Sequence, residues 1–427
     1  MSRRVYIPAL LAAVLVAGGC SSGSPSTPGV TATTVTIGSH QPLSGPSAAG
    51  SSEEAPAAKA YFEFVNDHGG VNGRKIIYDY QDDAGNPANT VTVVHRLVEK
   101  EKVFAVFDGF GTPTHQAVAG YLNAQGVPDL FPASACTCWN DPAKLPYTFG
   151  WVTDYHREGK ILGTYVAKAF PGKRIAYFYQ DNDFGRQAVQ GLDTVVPAAS
   201  VVARETYQPT YRDVTPQMRA IVRARADVII SLSAPSYTAL LRLAQQKLGN
   251  TAQLVVNVGG SDPVSLSSLL RFSGSGTAAG QGSPLIQGVI TDAYLTPTSD
   301  ISSGWTSLAK MIHDRYIPAA PFDHYTVYGM ATAYTFVQAL QRAGKNPTRQ
   351  SLIAAIERGG LSPGPGLTPL DYSHTSHGGY TGAQIGVVKG DTVVLQGQPL
   401  TTDDGKGPVV PYTTPQAPAP ASGIPAP

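Results

Sequence analysis

Residues 75–125 read KIIYDYQDDAGNPANTVTVVHRLVEKEKVFAVFDGFGTPTHQAVAGYLNAQ, and their rhythm decides the fold. Residues 75–80 read as a strand, 87–100 as a helix, 103–107 as a short buried strand and 113–125 as a second helix. Strands alternating with helices of this length are βαβ units of a parallel sheet. Upstream, 35–37 predicts a strand and 53–67 an amphipathic helix stopped by Gly69-Gly70. Downstream the rhythm returns after Gly150. Helices over 155–170, 184–195, 214–224 and 237–248 alternate with strands over 174–179, 200–205, 228–231 and 253–257. Two such runs predict an α/β protein of two doubly wound lobes. After a strand at 287–292, three helices (302–315, 325–343 and 349–358) are too many for the second lobe and return to complete the first. Gly390-Asp391, between apolar runs at 384–389 and 392–397, predicts a hairpin.

The first two dozen residues speak of location. Arg3 and Arg4 precede an apolar run over 5–16, too short to span a bilayer, and then Ala17-Gly18-Gly19-Cys20. This resembles the lipobox of bacterial lipoproteins, with Ala17 where Leu is usual. The resemblance implies a signal peptide over 1–19 and lipidation of Cys20. Residues 20–34, rich in Ser, Thr, Pro and Gly, read as a flexible tether. Residues 407–427, rich in Pro and Ala, read as a disordered tail. Between them lie roughly 375 residues, natural for two domains. The 31 basic and 30 acidic side chains nearly cancel, so nothing favours nucleic acid. Past Val16 no apolar run approaches a membrane span. Cys136 and Cys138, one residue apart, either close a small disulfide or remain thiols. No further ligands adjoin them for a metal.

Several blocks then carry a resemblance: Gln41-Pro42-Leu43-Ser44-Gly45-Pro46, Gly69-Gly70-Val71-Asn72-Gly73-Arg74-Lys75 and Asp82-Asp83. Phe107-Asp108-Gly109, Phe131-Pro132-Ala133-Ser134 and Asp181-Asn182-Asp183-Phe184-Gly185 follow in order. The chain resembles branched-chain amino-acid-type substrate-binding proteins of ABC importers over about 35–398. The resemblance implies the type I periplasmic-binding-protein fold, two lobes joined by three crossings. The crossings are expected near 150, 288–292 and 370–374. Lobe 1 is then 35–149 with 289–370, and lobe 2 is 150–288 with 371–406.

In a doubly wound sheet, ligands sit outside the carboxyl ends of the strands. The strand over 103–107 ends at Gly111-Thr112-Pro113, where Thr112 suits an N-cap and the helix N-terminus favours a carboxylate. The resemblance implies that this corner holds the ligand carboxylate through the Thr112 hydroxyl and backbone amides. It adds Ala133, Ser134 and Ala135 as a second contacting segment, although Ala135 lacks the usual hydroxyl. Phe184 stands where the family commonly has a lid tyrosine. Ser233 and Ala234 face the cleft by the same strand-end logic. Gly260 falls where amino-acid-binding members carry a carboxylate for the ligand ammonium. Asp262 either replaces that carboxylate or caps a helix before Pro263. A buried ammonium without a partner is costly, so the expected ligand is a carboxylate or neutral polar molecule with an apolar body, an amino acid being less favoured.

Gly109-Phe110-Gly111 lacks the third glycine of a dinucleotide site, and Thr114 stands in its place. His374 and His377 read as solvated loop residues. No nucleophile, base and oxyanion donor occur in a plausible order. The expectation is a non-enzymatic, monomeric receptor on the outer face of a bacterial membrane, without metal or cofactor, that hands a small molecule to an ABC permease. A sensor signalling to a membrane partner, or an extracytoplasmic enzyme on the same scaffold, is the alternative.

Overall fold

The computed structural model describes residue 1 and residues 27–271 and 282–426. Cys20 and residues 2–19 of the expected signal peptide lie outside the described residues. Strand β1 (Thr34–Gln41) is buried along nearly its whole length, as a strand covered on both faces must be. After it come α1 (Glu54–Asp67), β2 (Lys75–Asp82), α2 (Pro87–Glu99) and β3 (Val106–Phe107), then α3 (Thr112–Ala124), β4 (Asp129–Leu130) and β5 (Thr148–Phe149). The five strands are parallel in the order β2-β1-β3-β4-β5. The Asn86 side chain accepts the Ala88 N–H and Pro87 opens α2, which starts that helix at the residue its sequence announces.

The second run comprises α4 (Tyr155–Ala169), β6 (Ile175–Gln180), α5 (Asp183–Val195), β7 (Val201–Tyr207) and α6 (Thr215–Arg223). It continues with β8 (Val228–Leu232), α7 (Pro235–Lys247), β9 (Gln253–Val256), α8 (Pro263–Arg271) and β10 (Ile290–Ala293). The parallel order β7-β6-β8-β9-β10 repeats that of the first sheet. Helices α9 (Gly304–Tyr316), α10 (His324–Arg342) and α11 (Arg349–Glu357) return to lobe 1, where α10 lies along α1. The chain ends with the hairpin β11 (Leu370–Ser373) and β12 (Ser376–Tyr380), then β13 (Gly382–Lys389), β14 (Thr392–Leu395), β15 (Leu400–Thr401) and β16 (Val410–Pro411). Strand β13 runs antiparallel to β10 and pairs with β14 in the register the Gly390-Asp391 turn requires, Lys389 opposite Thr392.

The structure shifts two crossings. Strand β10, expected to begin the return to lobe 1, is the fifth parallel strand of lobe 2, equivalent in the repeat to β5, and the chain crosses after it. Residues 370–380 do not enter lobe 2. The β11–β12 hairpin sits beside β5 and α11 in lobe 1, and the crossing falls at 380–382. The three connections lie side by side: Gly150 N–H donates to His377 O (2.9 Å), Tyr380 N–H to Trp151 O (2.9 Å) and Leu367 N–H to Tyr294 O (2.8 Å). Trp151, Tyr294 and Tyr380 pack edge to face or tilted at 5.0–6.1 Å between centroids.

Both ends of the folded part differ from expectation. The described part of the tether packs against the first lobe: Thr36 N–H donates to Gly29 O at 2.7 Å, and Val30 bridges Val35. Gly29 has φ +73, and a Cβ there would meet the Phe104 backbone nitrogen at 2.2 Å, so only glycine lets the chain lie this close. The Pro/Ala-rich tail is also placed. Its carbonyls accept from lobe 1 donors, Ala417 O from Trp305 Nε1 (2.8 Å) and Gly423 O from Tyr61 OH (2.9 Å). Composition misled because proline-rich chain is already extended and stiff, so docking it orders few degrees of freedom. His377 is buried rather than solvated, stacked 3.7 Å from Phe149 with Nδ1 on Thr148 O, while His374 remains exposed beside Glu357.

Candidate functional site

The carboxyl ends of the two parallel sheets face each other across a cavity of about 250 Å³. Each sheet reverses its strand order beside its first strand, the place where a doubly wound fold leaves a crevice. Gly111, Thr112, Ala133, Ser134 and Ala135 of lobe 1 line the cavity, as do Phe184, Ser233 and Ala234 of lobe 2.

Thr112 does not cap its helix. Gly111, with φ +88, is the N-cap of α3 and provides no side chain. The Thr112 hydroxyl is therefore available for other partners: it lies 2.7 Å from Ser134 Oγ and 3.3 Å from Tyr155 OH. Phe184, in the first turn of α5, packs tilted against Tyr155 at 4.8 Å between centroids. The Ser233 hydroxyl is spent inside lobe 2 on Ser231 and Thr238, and Ala234 N–H donates to Tyr207 OH. These two residues offer the cavity shape more than hydrogen bonds. Cys136 and Cys138 are joined in a disulfide at its edge. Gln187 of α5 spans from the Thr137 N–H (2.9 Å) to Cys136 Sγ (3.3 Å), and Gln116 of α3 donates to Asp183 (2.9 Å). The lobes thus touch across the cleft.

Gly260 and Asp262 do not line this cavity. A Cβ on Gly260 would strike Ser233 O at 1.9 Å, so the residue is turned into lobe 2 and Gly259 takes its place in the lining. Asp262 caps α8, its Oδ1 accepting the Ser265 N–H at 2.7 Å, and its Oδ2 accepts the His324 N–H at 3.3 Å.

The residues that sequence reasoning missed are acidic and aromatic. Glu54, at the start of α1, and Glu158, on α4, line the cleft, with Tyr155, Tyr294, Tyr325 and Tyr328 around them. Among the described residues neither Lys nor Arg lines it. Burial pushes the Glu54 carboxyl well up, helped by Asp108 and Asp323. Asp108, behind it, accepts the Tyr328 hydroxyl at 2.7 Å, yet burial raises it to about 8. Glu158 Oε1 accepts the Val258 N–H at 3.0 Å, and its carboxyl meets that of Asp292. Burial and that neighbour raise Glu158, and burial brings Asp292 to about 7. Two carboxyls in contact share a proton. Among the described residues, no ion pair reaches Glu54, Asp108, Glu158 or Asp292, and no group of three or more His, Cys, Asp or Glu could hold a metal ion. No sequence signal marks these acids: Glu54 looks like an ordinary first-turn acid, Glu158 like a surface charge between Arg157 and Lys160.

A family model for periplasmic binding proteins matches residues 34–392. The chain belongs to the periplasmic binding protein family. The Leu/Ile/Val-binding protein homolog 1 of Brucella abortus is 23% identical over 369 residues, 84% of this chain and 89% of that one. Two solved structures share the type I fold. A fatty acid ABC transporter substrate-binding protein from Thermomonospora curvata has TM-score 0.77 at 22% identity, covering 91% of this chain and 98% of its own. A branched-chain amino acid ABC transporter from Thermus thermophilus with bound valine has TM-score 0.75 at 20% identity, covering 87% and 97%. As a member of this family the chain is an extracytoplasmic ligand-binding protein. Among the described residues no helix is long and apolar enough to cross a membrane.

Proposed function

We propose that this periplasmic binding protein is the solute receptor of an ABC importer, a lipoprotein anchored through Cys20, that closes its lobes on a small organic molecule and presents it to a permease. The observation that carries the reading is the interlobe cavity, lined at strand ends from both sheets. A ligand contacting both lobes stabilises the closed state by its differential affinity for it, and a permease can recognise that state. The named relatives support a transport role. No residue is assigned a catalytic role, and delivery needs no chemistry. In this reading Thr112, Ser134 and the amides at the start of α3 take a polar end of the ligand, while Phe184 and Tyr155 cover its apolar body.

The test is ligand-dependent thermal stabilisation of the full-length protein together with small-angle scattering. A bound solute present at a hundred times its Kd stabilises by about 2.7 kcal/mol and should reduce the radius of gyration. Recovery of the solute with altered mass would instead make the protein an enzyme.

A further inference from the structure

We propose that the ligand of this cleft is an organic cation, its charged nitrogen held between Glu54 of lobe 1 and Glu158 of lobe 2 and covered by the tyrosines around them. The inference rests on the receptor reading and narrows its substrate class. It reverses the expectation drawn from Gly260, because the acids come from elsewhere in the chain.

Glu54 is only 5% exposed, lines the cavity, and its Oε2 has no hydrogen-bond partner. A buried carboxyl oxygen left without a donor is costly, and this residue lines the cleft. Glu158 is 2% exposed; its partners are one backbone amide and another acid. The chain's own cations beside it on α4 are committed away from the cleft. Arg157 donates to Asp154 (2.6 Å) and Thr402 O (3.0 Å), and Lys160 to Asp403 (2.8 Å) and Gly405 O (2.9 Å). His324, the one basic side chain in the lining among the described residues, is held towards its neutral form by burial. Tyr294 is within electrostatic reach of both acids. With Tyr155, Tyr325 and Tyr328 it offers the aromatic surface that attracts an ammonium or guanidinium group. An anionic ligand would meet two buried acids here and no fixed cation.

Protons follow from this geometry. Facing Glu54 are Glu53, Asp108 and Asp323 together with Tyr325 and Tyr328; facing Glu158 are Asp154, Asp292 and Tyr294. In the empty cleft burial favours the protonated form of these acids, and an entering cation favours their ionised form. Binding therefore releases protons, so affinity rises with pH by about tenfold per pH unit for each proton released. A carboxylate ligand would show the opposite sign.

The experiment is calorimetric titration of the full-length protein with agmatine, phenethylamine, choline and lysine. Choline is matched with 3,3-dimethylbutanol, its uncharged counterpart, and phenethylamine with 3-phenylpropionate. The expected result is binding of an amine and not its counterpart, tightening from pH about 6 to about 8 with measurable proton release. Glu54→Gln and Glu158→Gln should each weaken it at least about tenfold without lowering Tm, since the amide resembles the protonated acid. Tight binding of 3-phenylpropionate or the neutral alcohol, undiminished in both variants, overturns the cation and leaves the receptor standing. So does binding by none of the amines. Conversion of any compound to a new mass overturns the receptor reading itself.

Discussion

Asp108 shows what a single buried acid does to this protein. It sits at φ +57, a backbone region that Asp and Asn tolerate better than most residues, with its carboxyl raised from 3.8 to about 8 by burial. The folded state therefore binds a proton that the unfolded state has released. Its contribution to stability is fully present below the unfolded value and is lost as pH climbs from about 4 through about 8. Asp108→Asn should keep the backbone and flatten that part of the dependence, as urea unfolding at pH about 5, 6.5 and 8 would measure. A steeper or unchanged slope would mean the proton resides elsewhere. A second buried network joins four residues: His40 Nδ1 lies 2.8 Å from Asp83, His40 Nε2 2.9 Å from His115 Nδ1, and His115 Nε2 2.7 Å from Asp129. All four are fully buried, so His115→Ala takes a partner from Asp129 and from His40 together. The expected cost is about 3 kcal/mol, read as a lowered denaturation midpoint at unchanged slope. Phe184 is the counterexample, half-buried at the cleft. Phe184→Ala should weaken ligand by about 1–3 kcal/mol in a titration while moving Tm little, and unchanged affinity would remove it from the site.

At the scale of elements, the tightest seam is α4 against α5. A Cβ on Gly159 would meet Ala188 O at 2.1 Å, and one on Gly191 would meet His156 O at 2.1 Å. The helices touch backbone to backbone there, so a methyl group has nowhere to go. Gly191→Ala should cost about 1–3 kcal/mol by overpacking, although alanine is the better helix former; a stabilised variant in a thermal melt would refute the seam. Such helices were legible in the sequence because ten or more residues carry a clear period and recognisable stops. Strands β4 and β5 were not, since two residues have no period to read. The pattern marks strand β10 but not its lobe, because membership of a sheet depends on partners far along the chain. The site divides in the same way. Thr112 is legible because it follows a strand end, a local property, whereas Ser134 and Phe184 are legible only through the family resemblance. Glu54 and Glu158 lie 104 positions apart in sequence, and only the folded hinge brings them to one cavity.

For the whole molecule, the tail makes a further connection. Strand β16 pairs with β15 at the edge of the lobe 2 sheet, whereas Gln416, Ala417 and Gly423 bond to Thr296, Trp305 and Tyr61. The last residues thus pass from one lobe to the other outside the three central crossings. Truncation after Tyr412 should lower Tm and enlarge the unliganded radius of gyration in small-angle scattering. A shorter chain that melts and scatters like the full protein would show the tail to be ornamental.

The docking of Thr27–Thr34 onto lobe 1 sets a distance as well as a contact. With lipid at Cys20, seven peptide units separate the anchor from Thr27, a contour of at most about 25 Å when fully stretched. On the proposed lipidation, lobe 1 would ride within one small-domain diameter of the bilayer, like a moored float on a short line.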